Sequence, residues 1–260
     1  MKIRIISAIV AILIALPFVY FGGSAYAFAI GILAIFSYIE MLKLKKSHNE
    51  YPFIPLAIAL VLMMFLIYSK GLTFSLNYSK LIIMVLALLI PCVFYKNDKY
   101  TTKDAFYLIG ITLFLGVAFN SFIEVRDKGF NMFLFLVLIP IMTDTFALVC
   151  GRKLGKHKLI PEVSPHKTWE GSIGGSIIGT IIPCIFYAIA IGNFNIKILL
   201  GTFILTIIGQ VGDLIFSKIK RENGIKDFSN IMPGHGGILD RLDSTIAIFM
   251  TYILLSLVLF

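Results

Sequence analysis

The sequence predicts an all-α, polytopic membrane protein with about nine transmembrane helices. Apolar residues make up 58% of its 260 residues, well above the roughly 45–50% that is usual for a soluble domain. These residues are gathered in long runs separated by short polar loops. A bilayer-spanning helix needs about 20 mainly apolar residues, and most of the runs approach that length. The chain therefore needs lipid as its solvent.

The predicted spans cover residues 5–20, 24–42, 53–68, 81–95, 105–122, 130–150, 172–191, 196–216 and 244–260. The first and third are short enough to be tilted or re-entrant, which can change the count by one. The first is expected to be retained, because Phe18, Tyr20 and Phe21 stand where a cleavable signal would have small residues.

The distribution of Lys and Arg predicts how the spans are oriented. With nine spans, 18 of the 23 basic residues fall on the side that holds the N-terminus. Short loops rich in Lys and Arg stay in the cytoplasm, so the N-terminus is predicted to be cytoplasmic and the C-terminus to lie on the far side of the cell membrane. The same bias explains the net charge of +9 without nucleic acid as a partner.

Polar residues divide the chain into two parts. Residues 1–122 have short loops and almost no acidic residues within their spans, which predicts a transmembrane scaffold. In residues 123–260, two cytoplasmic loops lengthen, at 151–171 and 217–243. Loops longer than about 12–15 residues are uncommon and usually functional. This C-terminal region is therefore predicted to be catalytic.

Two carboxylates stand near the cytoplasmic ends of apolar spans. Asp144 lies in the sixth span and Asp213 near the end of the eighth. An ionised carboxylate inside a membrane is costly, so each implies a partner cation or a watery cavity. Gly209 and Gly212 are small enough to let a helix or ligand approach beside Asp213. A binding role is favoured over a purely structural ion pair.

The first long loop contains a possible anion site. Lys167 and Thr168 come just before a glycine-rich helix start at 171–175. Backbone N–H groups at a helix N-terminus, together with a lysine, bind phosphate well. A plain helix cap at Ser164 or Thr168 explains the same residues and remains open.

The second long loop carries acidic residues at helical spacing. Asp240, Asp243 and Ser244 share one face of a helix predicted to start near residue 238. Asp213 and Ser217 share a face of the eighth span in the same way. If the two faces meet, they offer hard oxygen ligands that suit Mg²⁺. Asp213, Asp240 and Asp243 are the predicted metal ligands.

The same loop has the groups expected around a bound phosphate. Gly236 and Gly237 allow close approach of the backbone, and His235 is a candidate contact to a phosphate or leaving group, with a structural role left open. Five cations can neutralise phosphate charge, namely Lys218, Lys220, Arg221, Lys226 and Arg241.

This loop resembles the signature of the phosphatidate cytidylyltransferase, or CDP-diacylglycerol synthase, family. Residues 217–243 contain Ser-x-x-Lys-Arg, four residues, Lys-Asp, and then Pro-x-His-Gly-Gly-x-x-Asp-Arg-x-Asp. Met232 stands where Leu, Ile or Phe is more usual. Asp144 and the stretch Ser-Pro-x-Lys-Thr-x-Glu-Gly at 164–171 are similar to the family as well, so the resemblance covers the C-terminal half.

The resemblance implies transfer of a cytidylyl group from CTP to phosphatidate, giving CDP-diacylglycerol and pyrophosphate for phospholipid biosynthesis. It also implies a homodimer embedded in membrane lipids. Asp213 and Asp240 would hold magnesium, with potassium as a candidate second ion, and Asp243 would lie in or beside their shell. Together with the residue chemistry above, the candidate catalytic residues are Asp213, Asp240, Asp243, Lys220, Arg221 and His235. The candidate substrate-binding residues are Asp144, Lys167, Thr168, Ser217, Lys218, Lys226, Gly236, Gly237 and Arg241.

Two other classes of function stay open. A polyprenol or archaeol cytidylyltransferase, or a CTP-using lipid kinase, could have similar loops, because nothing in the sequence reads acyl chains. A CDP-alcohol phosphotransferase is disfavoured because its Asp-x-x-Asp-Gly-x-x-Ala-Arg motif is absent. A transporter would use Asp144 and Asp213 as ion sites. The polar residues gather at one face instead of the midplane, which disfavours transport.

Overall fold

The computed structural model describes residues 2–44, 51–69, 78–95, 99–232, 234 and 236–260. Within these ranges the chain is helical almost throughout, which confirms the predicted all-α class. The helices are α1 (Lys2–Phe21), α2 (Gly23–Leu42), α3 (Phe53–Ile67), α4 (Tyr78–Leu89), α5 (Pro91–Phe94), α6 (Thr102–Asp127), α7 (Phe130–Leu154), α8 (Trp169–Ala190), α9 (Ile196–Glu222) and α10 (Leu239–Leu255). An antiparallel hairpin of β1 (Lys158–Ile160) and β2 (Ser164–Thr168) joins α7 to α8.

Each predicted span overlaps a helix. The fourth is interrupted between α4 and α5, and the ninth, predicted at 244–260, matches α10 only as far as Leu255. The break precedes Pro91, which has no N–H to continue the helical hydrogen bonding. Among the described residues, α2, α6, α7, α8 and α9 are long and apolar enough to cross a membrane. Shorter apolar helices occur at Ile9–Phe21, Phe53–Ile67 and Leu81–Phe94. The multi-pass character is thus supported, while the count of nine stays a prediction.

The connecting segments around the site are shorter than predicted. They cover residues 155–168 and 223–238, whereas the sequence predicted loops at 151–171 and 217–243. Helices α7 and α9 continue beyond their apolar stretches, and each has two basic residues in its last turn. Those cations interact favourably with the negative end of the helix dipole, which explains why the helices do not end where the hydrophobicity does.

The chain forms two compact units. One comprises residues 1–22 with 125–260, and the other comprises residues 23–124. The functional division into a scaffold at 1–122 and a catalytic region at 123–260 stays a prediction. By packing, the first helix belongs with the C-terminal part.

Arg126 attaches α1 to that C-terminal part. Its guanidinium donates hydrogen bonds from Nε to the carbonyl of Val19 (2.7 Å) and from Nη2 to the carbonyl of Tyr20 (3.0 Å). Carbonyls in the last turn of a helix have no partner within the helix. Arg126 therefore fixes the end of α1 by supplying the missing donors.

A side chain has a similar role inside the unit formed by residues 23–124. The Asn120 side-chain amide on α6 donates to the carbonyls of Ile67 and Ser69, each at 2.9 Å. These are orphan carbonyls at and just beyond the end of α3. The buried amide thereby joins α6 to α3.

Glycines set the close packing of α8 against α7. Gly171, Gly175 and Gly179 recur every four residues, so they lie on one face of α8. A Cβ atom at Gly175 would lie 2.7 Å from the carbonyl oxygen of Thr143 on α7. Small residues at this spacing let two helix backbones approach closely. The glycine-rich start of α8 thus has a packing role that the sequence analysis did not assign to it.

Gly175→Ala is expected to destabilise the protein by about 1–3 kcal/mol, the usual cost of overpacking a tight core. The new methyl group would press on the Thr143 carbonyl and on Cβ of Ala147, 2.8 Å away. The thermal unfolding midpoint of purified protein in detergent would measure the loss. Gly110→Ala is the matched control, because among the described residues no atom beyond its own stretch of helix lies within 4 Å of the Cβ position there. Equal midpoints for the two variants would contradict the close approach of α7 and α8.

Candidate active site

A cavity of about 580 Å³ with charged residues in its wall lies where α7, α8, α9 and the hairpin meet. Its polar and charged lining comes from four elements: Asp144 and Arg152 on α7, His166, Lys167 and Thr168 on the hairpin, Ser172 on α8, and Gln210 and Asp213 on α9. The cavity therefore brings together charged residues that lie up to 69 positions apart in the sequence. Asp144, Lys167, Thr168 and Asp213 are four of the predicted site residues.

The central contact of the cavity joins the first long loop to α9. The ammonium group of Lys167 forms an ion pair with the carboxylate of Asp213, and about a quarter of each side chain is exposed. Ser217, one turn further along α9, donates from Oγ to Asp213 Oδ1 at 3.3 Å. The predicted shared face of Asp213 and Ser217 is thus present, and a cation accompanies it.

Thr168 begins helix α8. Its Oγ1 accepts a hydrogen bond from the N–H of Gly171 at 3.2 Å, as an N-cap residue does. The helix-cap interpretation is therefore correct for Thr168, while Ser164 lies in β2 and has no such role. Because Thr168 also lines the cavity, the cap fixes the position of the adjacent Lys167.

Glu170 holds the hairpin against the start of α8. Its carboxylate accepts hydrogen bonds from the backbone N–H of Lys156 (3.1 Å) and from Nδ1 of His157 (2.7 Å). The N–H of Trp169 donates to the carbonyl of His157 at 3.0 Å. These bonds close the hairpin and give the loop a defined shape.

Gln210 is a cavity residue that the sequence analysis missed. Its Nε2 donates to Oγ of Ser176 at 2.8 Å and to the carbonyl of Ser172 at 3.3 Å, while Ser172 Oγ donates to Gln210 Oε1 at 2.6 Å. This buried amide ties α8 to α9 one turn before Asp213. A glutamine within an apolar span was the available signal, since such residues hydrogen-bond across helices.

A third carboxylate, Asp243, approaches Asp144 and Asp213 from α10. Helices α9 and α10 are close there, since a Cβ at Gly212 would lie 3.0 Å from the Asp243 carbonyl. Asp243 lies in the first turn of α10, just before the predicted apolar span. Burial raises the pKa of its carboxyl, and the negative charges of Asp213 and Asp144 raise it further. The three carboxylates therefore lie near enough to repel one another, and a nearby cation would relieve that repulsion.

Asp240 is held entirely by protein donors. Its Oδ1 accepts a hydrogen bond from Nζ of Lys220 at 2.7 Å, and its Oδ2 accepts from the N–H groups of Phe228 and Gly237, each at 2.8 Å. The side chain of Asp240 is 2% exposed and that of Lys220 is 10% exposed. This buried cluster joins α9, α10 and the 223–238 segment. We call it the Asp240 clamp.

The absence of a side chain at Gly236 leaves space for the Asp240 carboxylate in the clamp. A Cβ at this position would lie 2.8 Å from Oδ2 of Asp240, and the backbone φ of +86° disfavours any L side chain. Gly236 also exchanges backbone hydrogen bonds with Met232, at 2.9 and 3.2 Å. Gly236 and Gly237, which were predicted to let a substrate approach, therefore lie beside the Asp240 carboxylate, to which the N–H of Gly237 donates.

Asp240 has less capacity left for a divalent cation than Asp144, Asp213 and Asp243 have. Asp144, Asp213 and Asp243 supply the hard oxygens that Mg²⁺ prefers, whereas three donors already use most of the roughly four lone-pair sites of Asp240. In the described part of the chain, no three His, Cys, Asp or Glu side chains form a ready metal site. Mg²⁺ commonly binds one or two carboxylates together with substrate phosphates. The metal role of Asp240 stays a prediction, as does the second ion.

The remaining predicted cations lie exposed at the same end of α9 and α10. Lys218 pairs with Glu222 at 3.5 Å, and Arg221 donates from Nη1 to the carbonyl of Ile225 at 3.1 Å. Lys226 and Arg241 are exposed to solvent. These positions suit a water-borne polyphosphate. His235 lies outside the described residues, so its predicted role has no structural account.

Comparison with known proteins places these features in a family. Residues 2–259 match the model of the cytidylyltransferase family. The chain is 38% identical over 248 residues to the phosphatidate cytidylyltransferase of Staphylococcus haemolyticus, and 37% identical over 246 residues to that of Staphylococcus aureus strain COL. Each match covers 94% of this chain and 94% of the relative. The similarity therefore extends through both compact units.

Proposed function

The chain belongs to the cytidylyltransferase family, and we propose that it transfers the cytidylyl group of CTP to phosphatidate. The products are CDP-diacylglycerol, a precursor in phospholipid biosynthesis, and pyrophosphate. The relatives named phosphatidate cytidylyltransferase support this substrate pair, because they match over 94% of their length. The structural observation that carries the proposal is the charged cavity at the ends of apolar helices. Such a site lets lipid tails stay in the bilayer while CTP arrives from water.

The reaction needs positioning and charge neutralisation. An oxygen of the phosphatidate phosphate attacks the α-phosphorus of CTP in line, the bond to the β-phosphate oxygen breaks, and pyrophosphate leaves with its electron pair. The attacking phosphate is anionic near neutral pH, so no general base is required. Lys167, beside Asp213 in the cavity, is placed to hold a phosphate of the lipid or the nucleotide.

Asp213 and Asp243, with Asp144 nearby, are the residues proposed to hold magnesium. When bound, the ion supplies positive charge to the phosphate oxygens. The exposed cations at the ends of α9 and α10 would draw off the charge of the leaving pyrophosphate. They are Lys218, Arg221, Lys226 and Arg241.

The sidedness of the site is part of the same proposal. The positive-inside bias of the sequence supports a cytoplasmic N-terminus and cytoplasmic connecting segments, with the C-terminus on the far side of the cell membrane. CTP is then available at the charged end of the bundle. We also propose that the protein is a homodimer, on the basis of its resemblance to the family.

Labelled CTP distinguishes this function from its rivals. With purified protein and phosphatidate, label in the α-phosphate is expected in the lipid product and label in the γ-phosphate in pyrophosphate. A chelator should stop the reaction and added magnesium should restore it. Transfer of the γ-label to lipid would instead indicate a lipid kinase. Turnover only with a polyprenyl or archaeal lipid substrate would identify a different cytidylyltransferase, and ion flux without nucleotide turnover would indicate a transporter.

A further inference from the structure

The hairpin between α7 and α8 exposes large apolar side chains that the proposed reaction does not use. Leu154 at the end of α7 is 64% exposed, Ile160 in β1 is 40% exposed, and Trp169 at the start of α8 is 54% exposed. Within β1, Ile160 and Lys158 are exposed while Leu159 between them lines the cavity. The hairpin therefore has one side toward the site, and its other side leaves these apolar side chains largely uncovered by the described part of the chain.

Exposed basic side chains stand beside the exposed apolar ones in the sequence. Lys153, Lys156 and Lys158 are all exposed. Of the two acidic residues in this region, Glu162 lies at the hairpin turn, and Glu170 is engaged by His157 and by backbone N–H groups. The outer side of the hairpin is thus both apolar and positively charged.

The position of the hairpin in the chain indicates what its exposed apolar and basic side chains contact. It directly joins α7 and α8, which are both long and apolar enough to cross a membrane. A short segment between two spanning helices lies at the height of the lipid headgroups. Tryptophan is enriched at that depth, and lysine side chains extend from apolar surroundings to the charged headgroup layer.

We propose that the hairpin, with Leu154 and Trp169 at its two ends, is an interfacial contact with the membrane. Leu154, Ile160 and Trp169 insert at the boundary of headgroups and acyl chains, and Lys153, Lys156 and Lys158 bind anionic lipid headgroups. Basic residues near a membrane surface attract anionic lipids in this way. The contact rests on the proposed function in one respect, since it would concentrate an anionic lipid substrate beside Lys167.

Trp169 makes the contact directly measurable because it is the only tryptophan in the chain. In proteoliposomes, its fluorescence is expected to be quenched strongly by lipids brominated near the headgroup and weakly by aqueous iodide. The matched control is Trp169→Phe combined with Ile231→Trp, which moves the probe to an exposed position in the other connecting segment, 43% exposed in the native protein. Iodide should be the stronger quencher there. Equal bromolipid quenching at the two positions, or quenching of Trp169 by iodide alone, would overturn the proposal.

The lysines are tested by a charge-removing variant. Native protein is expected to be activated as phosphatidylglycerol replaces phosphatidylcholine in the vesicles, and Lys153→Gln/Lys156→Gln/Lys158→Gln should lose that activation while keeping its activity in detergent. Equal activation of variant and native protein would overturn the electrostatic part. Because the fluorescence measurement needs no turnover, absent turnover with the expected quenching would count against the proposed function and leave the contact intact.

Discussion

Asp213→Asn is expected to lower cytidylyl transfer by at least about 100-fold, the scale seen when a key electrostatic group of an active site is removed. Asp213 interacts with several charged and polar groups of the site. It pairs with Lys167, accepts a hydrogen bond from Ser217 and lies near Asp144 and Asp243. The amide removes one negative charge, which weakens cation binding and frees Lys167 from its counter-ion. Conversion of labelled CTP across a magnesium titration measures the effect.

Asp127→Asn provides the matched control for that substitution. Asp127 is the last residue of α6 and is exposed, and it does not line the cavity. Its replacement makes the same chemical change with little expected effect on turnover. The Asp213 variant should insert and unfold at close to the native temperature. Near-normal activity of Asp213→Asn at limiting magnesium would contradict the metal assignment.

The helices were predictable from sequence because their signal is local. Apolar runs fix where helices form, and the i, i+3 and i, i+4 spacings of Asp240, Asp243 and Ser244 correctly placed them on the first turns of α10. The extension of α7 and α9 into polar sequence is set by charge at the helix ends, which hydrophobicity does not detect. Strands of three and five residues, as in the hairpin, are too short to show an alternating pattern.

The site was less predictable because its contacts join distant parts of the chain. Lys167 and Asp213 stand out in the sequence as separate features, and only the folded chain shows that they pair. Gln210 was overlooked because its hydrogen-bond partners are 34 and 38 positions away. The carboxylate of Asp240 was recognised as important, but its spacing does not reveal that Lys220 and two backbone N–H groups already bind it.

The second prediction with a large expected effect concerns activity and stability when the Asp240 clamp is broken. Asp240→Asn is expected to abolish turnover and also to destabilise the protein by roughly 3–5 kcal/mol, the usual cost of removing one partner of a buried ion pair. Lys220 would remain in its buried position without a counter-charge, and the amide NH₂ would face other donors. Lys220→Met should have a similar cost, because it leaves the Asp240 carboxylate buried with backbone donors alone. Unfolding midpoints in detergent and labelled-CTP turnover would be measured together.

The double variant Asp240→Asn/Lys220→Met distinguishes a structural role of Asp240 in the clamp from a role as a metal ligand. If the two residues act mainly on each other, removing both charges costs less than the sum of the single changes, because neither charge is left unpaired. The double variant should then be more stable than either single variant, and the magnesium requirement of any remaining activity should stay native. A native unfolding midpoint for Asp240→Asn, combined with a raised magnesium requirement, would contradict the clamp and restore Asp240 as a metal ligand. The buried hydrogen bonds around Asp240 lead us to expect the first outcome, since its carboxylate joins Lys220 on α9 to two N–H groups of the 223–238 segment and so stabilises that segment.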